Sequence, residues 1–182
     1  MSRFAQIKDA TTHPELIDLY KDVTDNGFGR ETPVNWFTSQ AERPDLLACT
    51  WSMVKTLLLQ GQLPPTIKQM ILVAISTQND CQYCKVAHTR ALGALGVSRE
   101  VIDDVTTNLD LAKVPPQQRA VLQFALKAAQ VPKGMTDADF AQLHDFGFND
   151  GEIMEIAMLA SFANFINTWA DISGIEIDEE SA

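Results

Sequence analysis

Apolar residues recur at helical spacing along almost the whole chain, and no stretch alternates with the period of two that marks a β-strand. Pro14-Glu15 opens a first segment carrying Leu16, Ile17, Leu19, Tyr20 and Val23, and Asp25-Asn26-Gly27-Phe28-Gly29 ends it. Residues 32–41 read as irregular, with a short turn presenting Val34, Trp36 and Phe37. Pro44 starts a helix whose apolar face is Leu47, Trp51, Val54 and Leu58, stopping at Gly61. Pro64-Pro65-Thr66 introduces another through about Thr77, residues 80–95 form the next, and Ser98-Arg99-Glu100 starts a short one with Val101, Ile102 and Val105. Residues 117–129 are amphipathic through Ala120, Val121, Phe124 and Ala128. Thr136-Asp137-Ala138-Asp139 is a capping box with Asp in the usual Glu position, for a helix ending near Gly147. Asn149-Asp150-Gly151-Glu152 then caps a long apolar helix over residues 153–170, closed by Gly174. The pattern predicts an all-α fold, a bundle of six to eight helices, with one domain over residues 1–175 and an acidic tail over 176–182.

With 182 residues, 46% of them hydrophobic and 21% charged, the chain has the balance of a globular protein with a substantial core. The formal net charge of −10 argues against nucleic acid, whose phosphates call for clustered Lys and Arg. Part of that charge lies in Glu176, Asp178, Glu179 and Glu180, which read as a solvated terminus. The longest apolar runs, residues 70–75 and 156–163, fall far short of the ~20 residues of a membrane span. The amino terminus lacks a signal-peptide apolar core, so a cytoplasmic protein is expected. Three cysteines are too few for a secreted disulfide scaffold. Cys49 has no sequence-local partner and, beside Trp51, is expected in the core.

The residues that carry chemistry are Cys81-Gln82-Tyr83-Cys84-Lys85-Val86-Ala87-His88. Asn79 or Asp80 is the expected N-cap of a new helix, which places both cysteines in its first turn. Helical spacing then stacks Cys81, Cys84 and His88 on one face. The helix dipole and a nearby imidazole both favour a thiolate there. His88 lies one turn beyond Cys84, closer to it than to Cys81, so Cys84 is expected to be the more readily ionised thiol. A structural pair of buried cysteines or half a zinc site are the competing readings. Zinc would need a fourth ligand, for which His144 is the only further candidate in the second half. A thioredoxin-like domain, the usual context of a cytosolic C-x-x-C, needs βαβ units that this pattern lacks.

The stretch Ser76-x-x-Asn79-x-Cys81-x-Tyr83-Cys84-x-x-x-His88, preceded by Leu63-Pro64-Pro65 and an apolar helix, resembles the alkylhydroperoxidase (AhpD-like) branch of the carboxymuconolactone decarboxylase-like family. Further similarity lies in Leu92-Gly93-x-x-Gly96-Val97, in Thr136-Asp137-Ala138-Asp139, and in Asn164-Phe165-x-Asn167 with Ala170-Asp171. The resemblance implies an all-helical, oligomeric peroxidase that reduces hydroperoxides through its two cysteines, with a dithiol or lipoyl-bearing protein restoring the pair. It implies Cys84 as the peroxidatic thiol, Cys81 as the resolving thiol and His88 as the proton handler. Such peroxidases usually carry a glutamate twelve residues before the first cysteine, where this chain has Gln69. Glutamine can accept a hydrogen bond but cannot titrate near neutral pH. Gln69, Tyr83 and Ser76 are auxiliary site candidates.

The expected function is therefore a thiol-dependent peroxidase or disulfide oxidoreductase that requires no metal or organic cofactor. Its partners would be a hydroperoxide, a dithiol reductant and further copies of itself as a trimer, dimer or hexamer. Two alternatives stand beside it. One is a redox-sensing or assembly protein with weak peroxidase activity. The other is a carboxymuconolactone decarboxylase-type enzyme, for which a cysteine pair would be unnecessary.

Overall fold

The computed structural model describes residues 2–27, 30–107, 109 and 113–179, so Phe28 and Gly29 of the first stop signal and Glu180 of the acidic tail lie outside the described residues. Those residues hold nine α-helices and no strand. They are α1 (Pro14–Asn26), α2 (Asn35–Thr38), α3 (Pro44–Val54), α4 (Pro65–Gln78), α5 (Gln82–Ala94), α6 (Arg99–Thr107), α7 (Pro116–Gln130), α8 (Asp137–Asp145) and α9 (Asp150–Ser173). The expected all-α class is observed. The count reaches nine because the Trp36-Phe37 turn closes into the four-residue α2. No helix among the described residues is long and apolar enough to cross a membrane.

The chain forms two compact units, Met1–Gln60 with Trp169–Ala182, and Gly61–Thr168. In the first, α1 and α3 bury the stripes that their periodicity requires: Leu16, Tyr20 and Val23 on one, and Leu47, Trp51 and Val54 on the other. Phe37 meets Trp51 edge-to-face at 5.6 Å. The indole N–H of Trp51 donates to Asp22 at 2.7 Å, and Lys55 Nζ donates to the same carboxylate at 2.6 Å. Trp36 and Phe37, which the short turn presents, are buried. One sequence expectation changes here. Cys49, expected in the core, is exposed, because two positions on from Leu47 the helix has turned to its solvent side.

In the second unit α4 is the helix at the centre. Ile67, Met70, Ile71, Leu72, Val73, Ala74 and Ile75 are all buried, so it is covered on every side. α5, α6 and α7 each pack against it. α5 carries the cysteines and buries a narrower face, Cys84 and Leu92. Beyond α7, the predicted capping box holds α8: the Asp139 carboxylate accepts from the backbone N–H of Thr136 at 2.7 Å and from its hydroxyl at 2.8 Å.

A feature the periodicity did not disclose is the ion pair between Lys68 and Glu155, 2.6 Å apart, with the lysine side chain 1% exposed. Glu155 Oε2 also accepts the backbone N–H of Gln62 at 2.8 Å. The carboxylate sits so close to Gly61 that a Cβ there would lie 2.3 Å from Glu155 Oε1, and Gly61 has φ of +92°. Only glycine meets both conditions without strain.

Candidate active site

The corner between α4 and α5 is tight. Asn79 is the C-cap of α4, Asp80 takes the left-handed conformation with φ of 55°, and Cys81 is itself the N-cap of α5. The expected cap at Asn79 or Asp80 is thus displaced by one residue. Asparagine and aspartate tolerate such backbone geometry better than branched residues, which suits this corner to Asp80. Cys81 donates its backbone N–H to Ser76 O at 3.0 Å. Cys84 follows in the first helical turn, with Tyr83 partly buried between the two.

Both sulfurs turn inward. Cys81 is 0% exposed and Cys84 is 2% exposed. Cys84 Sγ lies 3.8 Å from the carbonyl oxygen of Ile166, and Cys81 Sγ lies 4.0 Å from that of Asn167. α9 therefore supplies backbone acceptors opposite the pair, a contribution invisible to motif reading. Both cysteines are free thiols here.

His88 is held from α4. Its Nδ1 lies 2.8 Å from Gln69 Oε1. With the amide oxygen as acceptor, Nδ1 carries the proton and Nε2 keeps its lone pair. Burial lowers the imidazole from its ordinary value of 6.5 to about 4, because the charged form loses its hydration. His88 is then neutral at pH 7. A charged imidazolium is thus disfavoured beside Cys84, and His88 presents a neutral ring with the lone pair of Nε2.

Ser76 is fully buried and serves the backbone and an amide network, its hydroxyl accepting from Asn167 Nδ2 at 3.0 Å. His144 is remote in role, its Nδ1 lying 2.9 Å from Phe148 O and its Nε2 3.2 Å from Asp150. Among the described residues no three His, Cys, Asp or Glu side chains gather as a metal site would require.

The site is thus two buried thiols at a helix start with a histidine one turn further, in an all-helical setting. The carboxymuconolactone decarboxylase family model matches residues 44–127. An uncharacterized peroxidase-related protein from Ralstonia eutropha JMP134, described as an alkylhydroperoxidase AhpD core, is 30% identical over 98% of this chain and 93% of its own, with a TM-score of 0.88. The chain belongs to the carboxymuconolactone decarboxylase family, in its AhpD-like branch. Membership supports a peroxidase-related role at the level of the family. Two further structures share the fold. A peroxidase-related protein from Silicibacter sp. TM1040 is 24% identical, over 98% of this chain and 95% of its own, at a TM-score of 0.85. The debrominase Bmp8, in complex with 2,3,4-tribromopyrrole, is 19% identical over 98% and 94%, at a TM-score of 0.79. A search of curated proteins finds no match.

Proposed function

We propose that the protein is a thiol-dependent peroxidase that reduces hydroperoxides through Cys84 and Cys81. The observation that carries this reading is the contact of His88 Nδ1 with Gln69 Oε1, which leaves the Nε2 lone pair to accept a proton one turn beyond Cys84. In the first step the Cys84 thiol gives its proton to His88 and the thiolate attacks the distal oxygen of a hydroperoxide. The O–O bond breaks, a sulfenic acid forms on Cys84, and the departing alkoxide takes a proton to become the alcohol. In the second step the Cys81 sulfur attacks the Cys84 sulfenic acid and releases water, closing a disulfide. A dithiol or lipoyl-bearing protein then reduces that disulfide and is itself oxidised. No metal or organic cofactor enters these steps.

Gln69 favours a second reading as well. With an amide rather than a carboxylate against Nδ1 the proton relay is short, and a slowly cycling disulfide would serve a redox-sensing or assembly protein. Decarboxylation of a muconolactone-type acid has less support: Lys68, the cation beside Gln69 in sequence, is buried in an ion pair with Glu155.

Peroxide consumption by two single variants separates these readings. Cys84→Ser abolishes consumption under the peroxidase reading, whereas Cys81→Ser allows one turnover that ends in a Cys84 sulfenic acid. The thiol assignment is reversed if Cys81→Ser blocks the first oxidation and Cys84→Ser does not. A wild-type chain that forms the disulfide but does not cycle with any dithiol supports the sensor.

A further inference from the structure

We propose that Asn167 is a positioning residue that biases the Cys81/Cys84 pair toward the dithiol, an inference that rests on reading that pair as redox-active. Asn167 lies on α9 and is 2% exposed. Its side-chain oxygen accepts from Asn79 Nδ2 at 2.9 Å and its amide donates to Ser76 Oγ at 3.0 Å. Both partners flank the start of the motif: Asn79 ends α4, and the carbonyl of Ser76 accepts the backbone N–H of Cys81.

The clasp extends further within the same unit. Asn79 Nδ2 also reaches Asn164 Oδ1 at 2.9 Å, Asn79 Oδ1 accepts from Gln130 at 2.8 Å, and Asn164 donates to Ala129 O at 2.8 Å. Four amide side chains thus fix the rotation and height of α9 against the ends of α4 and α7. What that fixes at the sulfurs is specific. The carbonyl of Asn167 itself faces Cys81 Sγ, and the preceding carbonyl, of Ile166, faces Cys84 Sγ.

Each carbonyl has a second lone pair beyond the one used in the helix ladder, and a thiol proton can occupy it. Two thiols can donate two such bonds. A disulfide has no proton to donate, and its sulfurs then face oxygen lone pairs. The clasp therefore favours the reduced state. Weak S–H···O contacts of this kind correspond to about a two- to fivefold factor each in an equilibrium constant. Loosening α9 at Asn167 should forfeit one such factor or both.

The test equilibrates the full chain with graded ratios of reduced and oxidised dithiothreitol and measures the 81–84 disulfide by alkylation and mass mapping. Asn167→Ala should shift the equilibrium toward the disulfide by about two- to fivefold, and Ser76→Ala should shift it the same way by less. Leu143→Ala, a cavity variant in α8, serves as a control for lost stability alone and should leave the constant unchanged. If Asn167→Ala does not fold, Ser76→Ala carries the test. Constants equal to wild type, a shift toward the dithiol, or an equal shift in the Leu143→Ala control would each overturn the proposal. A wild-type chain that forms no 81–84 disulfide at any ratio overturns the redox reading itself, and this inference with it.

Discussion

Gln69 Oε1 and His88 Nδ1 lie 2.8 Å apart, which joins the helix preceding the motif to the histidine that follows it. The contact decides the tautomer of His88 and leaves Nε2 as the basic nitrogen. The orienting hydrogen bond to His88 thus comes from a neutral amide, with no negative charge placed beside the ring.

Gln69→Glu should therefore change the pH profile as well as the rate. A carboxylate beside Nδ1 favours the imidazolium, so the pKa of His88 should climb from about 4 toward the neutral range. Peroxide-driven oxidation of Cys84 should then acquire an inflection between pH 5 and 7 and a faster turnover. Gln69→Ala, which frees the ring to rotate, should slow oxidation by about tenfold, less than the loss of a whole general base. Stopped-flow oxidation across pH reads both effects, and identical profiles for Gln69→Glu and wild type would contradict the assignment.

Burial of a neutral His88 predicts a second pH dependence, in stability. The folded pKa of about 4 lies below the ordinary value of 6.5, so between these values the unfolded chain binds a proton that the folded chain refuses. The contribution is complete above about pH 6.5 and is lost as pH falls toward 4. Allowing for partial exposure, it amounts to about 2 kcal/mol. Denaturant midpoints for wild type and His88→Gln at pH 7.5 and pH 4.5 should converge by that amount at the lower pH. Parallel curves would mean that His88 titrates normally.

Lys68 and Glu155 form a buried pair, and removing one member strands the other. Lys68→Ala should cost about 3–5 kcal/mol of stability, whereas Lys68→Met with Glu155→Leu should recover most of it. Gly61→Ala should cost about 1–3 kcal/mol through its positive φ and its contact with the same carboxylate. Chemical unfolding measures all three, and a Lys68→Ala variant as stable as wild type would show that water reaches Glu155.

Met154, Met158 and Phe165 are exposed and fall on one stripe of α9. We expect this stripe to be covered by another copy of the chain in a symmetric oligomer. Light scattering at micromolar concentration should give a multiple of the 20.1 kDa chain mass, reduced to a single chain by Met158→Glu. A monomeric wild type would contradict it.

Much of this fold was legible because its signals are local. Periodicity and caps located α1 and α4 through α8 to within a residue or two, whereas α3 ends at Val54, short of the expected stop at Gly61, and α9 extends three residues beyond 153–170 at each end; the C-x-x-C with its i+4 histidine marked the candidate site. What was not legible depends on contacts between distant segments. The Asn79–Asn167 bond, the carbonyls of α9 facing the sulfurs, and the Lys68–Glu155 pair join residues roughly 80 to 90 positions apart, and nothing in local pattern pairs them. Cys49 was misjudged from its neighbour Trp51, although the spacing from Leu47 already placed it off the apolar stripe. The charge state of His88 was also out of reach, since it depends on burial, which spacing does not report.

Stoichiometric oxidation decides whether Cys81 and Cys84 are a working redox pair. The fully reduced chain, with three free thiols, is treated with one equivalent of hydroperoxide, then alkylated, counted and mapped by mass. The proposed chemistry predicts the loss of two thiols per chain, an 81–84 disulfide, one equivalent of alcohol, and an unmodified Cys49 despite its exposure. Retention of all three thiols, or oxidation confined to Cys49, would contradict it.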